Sequence, residues 1–280
     1  MERIFKLRPM EQVLVQFLLL AWALVVAIPF GLAFINSMKG SLGQVIRAPF
    51  SLPDSWQFDN YAAAWEMANF SGYFMNSLII SVGTVAVAVL FSTMAAFVLA
   101  RVEFRGNRTI FILFMIGVIV PLRLAIAPLF VVVQSLDLLN SLLGIILVQA
   151  ASMMPVAVFI LSTFFKHLSP EIEQAARVDG ALPFQIYWKI VLPLVKPAIA
   201  TVALLSFVSA WNEYLFPLLF LQDRSLYPLT LGLQEFQNEF AIQWHMMFAG
   251  LIIMMAPTLI AFLLASKAFI QGLTQGGIKE

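Results

Sequence analysis

The sequence contains no cysteine and only two histidines, His167 and His245. Those absences exclude disulfides, thiolate-bound zinc, iron–sulfur clusters and a cysteine nucleophile, and they leave little from which to build an imidazole metal site. Charge is scarce too: 11% of the 280 residues are Asp, Glu, Lys or Arg, against about 25% in an ordinary soluble domain. The 16 basic and 15 acidic residues nearly cancel, so there is no basic excess for a nucleic-acid surface. No Asp-rich cluster is present to hold a metal and pyrophosphate, as a lipid or prenyl transferase would need. Neither is there a GxxxxGK[ST] phosphate loop, nor even a Gly-Lys dipeptide, which excludes ATP binding of that type by this chain.

What the chain has in abundance is apolar surface: 61% of its residues are hydrophobic and the mean hydropathy is +0.93. So large an excess cannot all enter one soluble core, and lipid must solvate most of the exterior. Charge-free windows at 13–35, 78–100, 142–165 and 246–266 each meet the roughly 20 residues a membrane span requires. Two further windows, 110–134 and 197–221, are long enough but carry Arg123 and Glu213. The first window runs past the roughly 7–15-residue apolar core of a cleavable signal, so an uncleaved anchor is expected.

The distribution of positive charge orients these windows. With the N-terminus inside, the inner segments hold Arg3, Lys6 and Arg8; Arg101, Arg105 and Arg108; Lys166, Arg177, Lys189 and Lys196; and Lys267 and Lys279. Only Lys39, Arg47 and Arg224 fall outside, which is the bias cytoplasmic loops should show. The expected fold is an all-α polytopic membrane protein with six transmembrane helices and both termini cytoplasmic. Residues 1–69 form the N-terminal tail, first span and outer loop. Residues 70–280 form a core with five spans, a long inner loop at 166–196 and a tail at 267–280.

That inner loop exceeds an ordinary helix–helix connection, and loops of such length usually carry function. It is punctuated as two short helices. Ser169-Pro170-Glu171 reads as an N-cap, a proline at the first helical position and an acidic first turn, and Gly180 supplies the stop. A second helix begins at Pro183 and ends near Pro193, with Phe184, Tyr187, Trp188 and Val191 spaced to share one apolar face. On the first helix Ile172, Ala175, Ala176 and Asp179 share a face small enough for close approach by another protein.

The run Glu171-Ile172-Glu173-Gln174-Ala175-Ala176-Arg177-Val178-Asp179-Gly180-Ala181, followed by Ile190-Val191-Leu192-Pro193, resembles the EAA loop of ABC-importer permeases of the maltose-transporter type. Trp211-Asn212-Glu213-Tyr214-Leu215-Phe216-Pro217 and the terminal Gly272-Leu273-Thr274-Gln275-Gly276-Gly277-Ile278-Lys279 resemble the sugar-transporting branch. The similarity covers roughly residue 70 to the end. It implies a type I importer permease fold and half of a translocation pathway. It also implies a homologous partner permease (a heterodimer), two cytoplasmic ATPase subunits that bind ATP and Mg, an extracytoplasmic solute-binding protein and a sugar substrate. No cofactor or metal is expected on this chain, and no catalysis.

By the same resemblance Glu171, Glu173, Gln174, Ala175, Ala176, Arg177, Asp179 and Gly180 would contact the ATPase as a coupling helix, while Gly276, Gly277 and Lys279 would make a regulatory contact between the ATPase subunits. Where the family opens the Glu-Ala-Ala triplet with an acidic residue this chain has Gln174. That leaves a neutral hydrogen bond there, or compensation by Glu173 or Glu171.

Arg123 and Glu213 lie about 14 and 17 residues from the inner ends of their windows, hence roughly 20–25 Å up, in the outer half of the membrane. A charge at the bilayer centre costs at least about 2.5–3.5 kcal/mol, so each must face protein or water and find a partner. Two readings stand: a structural ion pair, or a polar lining of the sugar pathway formed by Arg123, Trp211, Asn212, Glu213 and Tyr214. A stand-alone secondary transporter of a small polar solute is the rival function. It would ordinarily show repeated halves or several intramembrane carboxylates, whereas Glu213 stands nearly alone.

Overall fold

The computed structural model describes residues 8–66, 69–120, 122–238 and 241–277, with the backbone alone for 235–238, 241–242 and 268–277. Two compact units divide the chain: 1–68 with 233–255, and 69–232 with 256–280.

In the first unit, α1 (Pro9–Ser37) is a 29-residue helix, followed by two short helices, α2 (Leu42–Arg47) and α3 (Asp59–Glu66). Nearly all of α1 is apolar on every side, as a lipid-facing span is. Polar groups gather where it ends. Lys39 is wholly buried and donates from Nζ to Asn36 Oδ1 at 2.9 Å and to the Ala48 carbonyl at 2.6 Å. Asn60 Nδ2 donates to the carbonyls of Ser37 and Lys39, and the Ser37 and Tyr61 hydroxyls meet at 2.7 Å. This network folds the 38–60 segment back onto the end of α1 and satisfies groups that would be costly if buried alone.

The second unit is built on α4 (Phe70–Arg101) and α7 (Leu142–His167), 32 and 26 residues long. Ser77, Ser81, Thr84, Ala88, Ser92 and Ala96 are buried along α4, a stripe of small residues that lets another helix approach closely. Along that interface Thr84 Oγ1 donates to Gln149 Oε1 at 3.3 Å, and a Cβ on Gly83 would lie 2.7 Å from Ile146 Cδ1. Between them run α5 (Asn107–Ile119) and α6 (Ile126–Ser135), joined by a 3-10 turn over Leu122–Ala125.

After α7 come α8 (Pro170–Val178), α9 (Pro183–Gln185), a π turn over Ile186–Val191, and α10 (Leu192–Leu194). Next are α11 (Lys196–Trp211), α12 (Leu215–Phe220) and α13 (Leu229–Gly232). The last helix is α14 (Trp244–Gly277), and a two-residue antiparallel pairing of β1 (Gln237–Asn238) with β2 (Ala241–Ile242) is the one sheet among the described residues.

Among the described residues four helices are individually long and apolar enough to cross a membrane, and the count reaches six if each of two bent pairs is one span. The bends correct a detail of the sequence reading. One bent pair, angled by 88°, is α5 with the 3-10 turn and α6, over the window at 110–134; the other, angled by 77°, is residues 183–194 with α11. Apart from these pairs, the window at 197–221 is interrupted where α11 stops at Trp211 and α12 begins at Leu215. Arg123 lies in the turn between α5 and α6, and Glu213 in the gap between α11 and α12. Backbone freed from helical pairing at membrane depth is tolerated only where protein or a water-filled cavity supplies partners.

Among the described residues two apolar clusters hold this unit together. One joins Ala96 and Leu99 of α4 to Val158, Leu161 and Phe165 of α7, Ala176 of α8, Ile186 and Val191 of the π turn, and Ala198 of α11. The other joins Ile80, Val133, Ile145, Phe216 and Phe220.

Candidate functional site

The 166–196 loop folds as its punctuation predicts. Ser169 Oγ accepts from Glu171 N, and Pro170 opens α8. The helix closes when Ala181 N donates to the Ala176 carbonyl at 2.9 Å, across a left-handed Gly180 at φ +82°. Only glycine takes that conformation without strain.

The faces of the two helices divide differently from the sequence expectation. Glu173 and Ala176, both expected on the outer surface, turn into the chain. Glu173 Oε1 accepts from Arg101 Nε at 2.6 Å, with the two side chains 8% and 9% exposed, and its Oε2 lies 3.8 Å from Arg177 Nη2. Glu173 is therefore committed to Arg101, and Glu171 is the acidic side chain left to offset Gln174. The residues that α8 and its cap present outward are Glu171, Ile172, Gln174, Ala175, Arg177, Val178, Asp179 and Gly180.

The second helix contains a π turn, and its extra residue per turn rotates the face read from α-helical spacing. Tyr187 and Val191 go inward with Ile186, while Phe184 and Trp188 remain exposed, their rings 5.9 Å apart. The Tyr187 hydroxyl donates to Thr93 Oγ1 at 2.9 Å, and burial pushes this phenol above its ordinary pKa.

The second candidate site lies where the helices break. Arg123 sits in the 3-10 turn and Glu213 between α11 and α12, with Nη2 3.4 Å from Oε2. The arginine side chain is 67% exposed and the glutamate 9%. Glu213 also caps α12: Oε1 accepts from Leu215 N at 2.9 Å and Phe216 N at 3.4 Å. Its carbonyl accepts from Thr230 Oγ1. A carboxylate at a helix N-terminus satisfies free N–H groups and complements the dipole.

Asn212 and Tyr214 are exposed beside it. Trp211, expected among the lining residues, is 1% exposed. It stacks on Phe207 and meets Phe74 edge-on, both at 5.6 Å, so packing within the chain occupies the ring. Gly276 and Gly277 end α14, and Lys279 lies outside the described residues. Among the described residues no group of three or more His, Asp or Glu could hold a metal ion.

In the sequence Arg101 is marked only as an inner positive charge. Its partner is 72 residues away, so no local pattern could have paired them.

Residues 88–274 match the family described as binding-protein-dependent transport system inner membrane component. The chain is 35% identical over 261 residues to the diacetylchitobiose uptake system permease protein NgcG of Streptomyces coelicolor, covering 92% of this chain and 86% of that one. It is 34% identical over 253 residues to the melibiose/raffinose/stachyose import permease protein MelC of Bacillus subtilis, covering 90% and 91%. Its fold matches a chain in the crystal structure of a bacterial ABC transporter involved in import of the acidic polysaccharide alginate. That match has a TM-score of 0.83 and 23% identity, over 95% of this chain and 100% of the other. A chain of the alginate transporter in complex with its alginate pentasaccharide-bound periplasmic protein matches with a TM-score of 0.64 and 16% identity, over 92% and 96%.

Proposed function

The chain belongs to the family of binding-protein-dependent transport system inner membrane components, and from that premise we propose that it is the permease subunit of an ATP-driven sugar importer. It forms half of the translocation pathway with a homologous permease. Two cytoplasmic ATPase subunits hold the ATP and Mg, an extracytoplasmic binding protein delivers the sugar, and both termini of this chain are cytoplasmic. Sugar is the substrate class because the similar permeases are named for oligosaccharide uptake.

The observation that carries the reading is the 166–196 loop. It is two short capped helices packed on α4 and α7, one exposing Glu171, Gln174, Ala175, Arg177 and Asp179, the other exposing Phe184 and Trp188. Exposed charged and aromatic groups on a rigidly seated element suit a docking surface. A membrane pore is driven from outside itself only through an element whose position differs between two states, and this loop has the rigidity to be that element. Arg123, Asn212 and Tyr214 are the exposed polar groups at the helix breaks that line the sugar pathway. Glu213 and Trp211 support them from behind. Gly276, Gly277 and Lys279 are proposed to contact the ATPase subunits.

Affinity purification from native membrane in mild detergent tests this. An ATPase and a second permease should co-elute, and sugar-loaded binding protein should stimulate ATP hydrolysis. A chain that elutes alone, transports alone and ignores ATP would return the case to the stand-alone secondary transporter.

A further inference from the structure

Helix α4 is gripped at both ends by polar side chains. At its last turn Arg101 donates from Nε to Glu173 and from Nη2 to the Leu168 carbonyl at 2.9 Å. Two turns earlier Thr93 receives the Tyr187 hydroxyl, and the Phe97 ring lies 5.1 Å from that of Tyr187. Both helices of the 166–196 loop are thus tied to one helix by buried contacts. At the opposite end Asn76 Nδ2 donates to the carbonyls of Ser225 at 2.8 Å and Tyr227 at 3.1 Å. Ser77 Oγ accepts from Leu229 N at 2.8 Å. Asn76 and Arg101 are separated by about 37 Å of helix at 1.5 Å per residue, more than the roughly 30 Å hydrocarbon core.

A contact transmits displacement only when it is stiffer than what it moves. The Arg101–Glu173 pair meets that condition, because opening it would leave a charge buried without a partner. Between the grips, the small-residue stripe of α4 packs closely on its neighbours, and close-packed interiors shift as units rather than deforming. We propose that α4 is the rod that carries movement between the 166–196 loop and the 222–232 loop on the other side of the membrane, with Arg101 the positioning residue that fixes α8 to it. The inference rests on the reading of 166–196 as the ATPase-contacting loop. Coupling of this kind is reciprocal, so a binding protein engaging 222–232 biases α8 through the same rod.

The absence of native cysteine makes introduced thiols unique within this chain. The whole transporter, reconstituted in proteoliposomes, is assayed for the ratio of binding-protein-stimulated to basal ATP hydrolysis and for uptake. Arg101→Ala and Asn76→Ala are each expected to lower that ratio roughly tenfold, with basal hydrolysis retained in Arg101→Ala. In the double variant Arg101→Cys with Glu173→Cys, a short bifunctional thiol reagent should restore the ratio, because the bridged parts move together. A wild-type ratio in either alanine variant overturns the rod. So does a bridge that arrests transport while the reagent leaves the wild-type complex active. Where Arg101→Ala fails to assemble, the bridged variant and Asn76→Ala decide. A wild-type complex without an associated ATPase, or without stimulation, would overturn the functional reading itself and this inference with it.

Discussion

Glu213 performs two separable tasks, and substitution can tell them apart. Its Oε1 caps α12 through Leu215 N and Phe216 N, and its Oε2 faces Arg123. Losing a cap costs about 0.5–2 kcal/mol. The ion pair is long, at 3.4 Å, and its arginine is 67% exposed, so solvent screening holds its contribution to about 0–1 kcal/mol. Glu213→Gln keeps an amide oxygen for the cap and removes only the charge, so it should cost no more than about 1 kcal/mol. Glu213→Ala removes both and should cost about 0.5–3 kcal/mol. At roughly 2–4 °C per kcal/mol, the alanine variant should melt several degrees below the glutamine variant when the detergent-solubilised complex is heated and scored by size-exclusion chromatography. Equal losses in the two variants would show that charge, not capping, is what Glu213 supplies. Should the double swap Arg123→Glu with Glu213→Arg recover nothing relative to its single variants, the pair contributes no measurable stability.

Three further expectations follow from particular contacts. Burial holds the Lys39 ammonium below its ordinary pKa of 10.5, against the opposing pull of Asp54. Its stability contribution is therefore complete above pH 10.5 and is lost as pH falls through the folded value; Lys39→Met should flatten that slope in thermal scans across alkaline pH. Tyr187 has the reverse sign: its phenol is raised above 10.0, so stability is complete below pH 10 and is lost as pH rises beyond it. Tyr187→Phe should remove that alkaline loss while costing about 0.5–1.5 kcal/mol for the bond to Thr93, and an unchanged alkaline profile would refute the assignment. A Cβ on Gly144 would press on the Leu138 carbonyl oxygen, whereas one on Gly180 meets nothing within 4 Å. Gly180→Ala should thus cost only the left-handed strain of about 1–2 kcal/mol. Gly144→Ala should cost at least the roughly 1–3 kcal/mol of overpacking and lower the yield of folded protein more; the opposite ranking in expression and melting would contradict the packing.

Local signals carried much of the architecture. Ser169, Pro170 and Gly180 bound α8 because capping, proline placement and positive φ are decided within a few residues. The long spans were legible because about 20 uncharged apolar residues have no other use than to cross lipid. Arg123 and Glu213 stood out as charges at one depth, and the structure brings them within 3.4 Å. Other features were hidden. A π turn leaves no mark in α-helical spacing, so Phe184 and Trp188 were grouped with Tyr187 and Val191, from which the structure parts them.

The sequence alone determined the solvent of this protein, its helical class and the position of the loop that resembles a coupling element, because composition and short-range punctuation settle those matters. Only the tertiary structure decided which residues of that loop face outward, that Glu173 belongs to Arg101, that Trp211 is enclosed by Phe74 and Phe207, and that the helices are interrupted at Arg123 and Glu213. The pairing of Glu173 with Arg101 and the contact of Trp211 with Phe74 join residues distant in the chain, and such contacts are fixed by how helices pack, which no local pattern encodes.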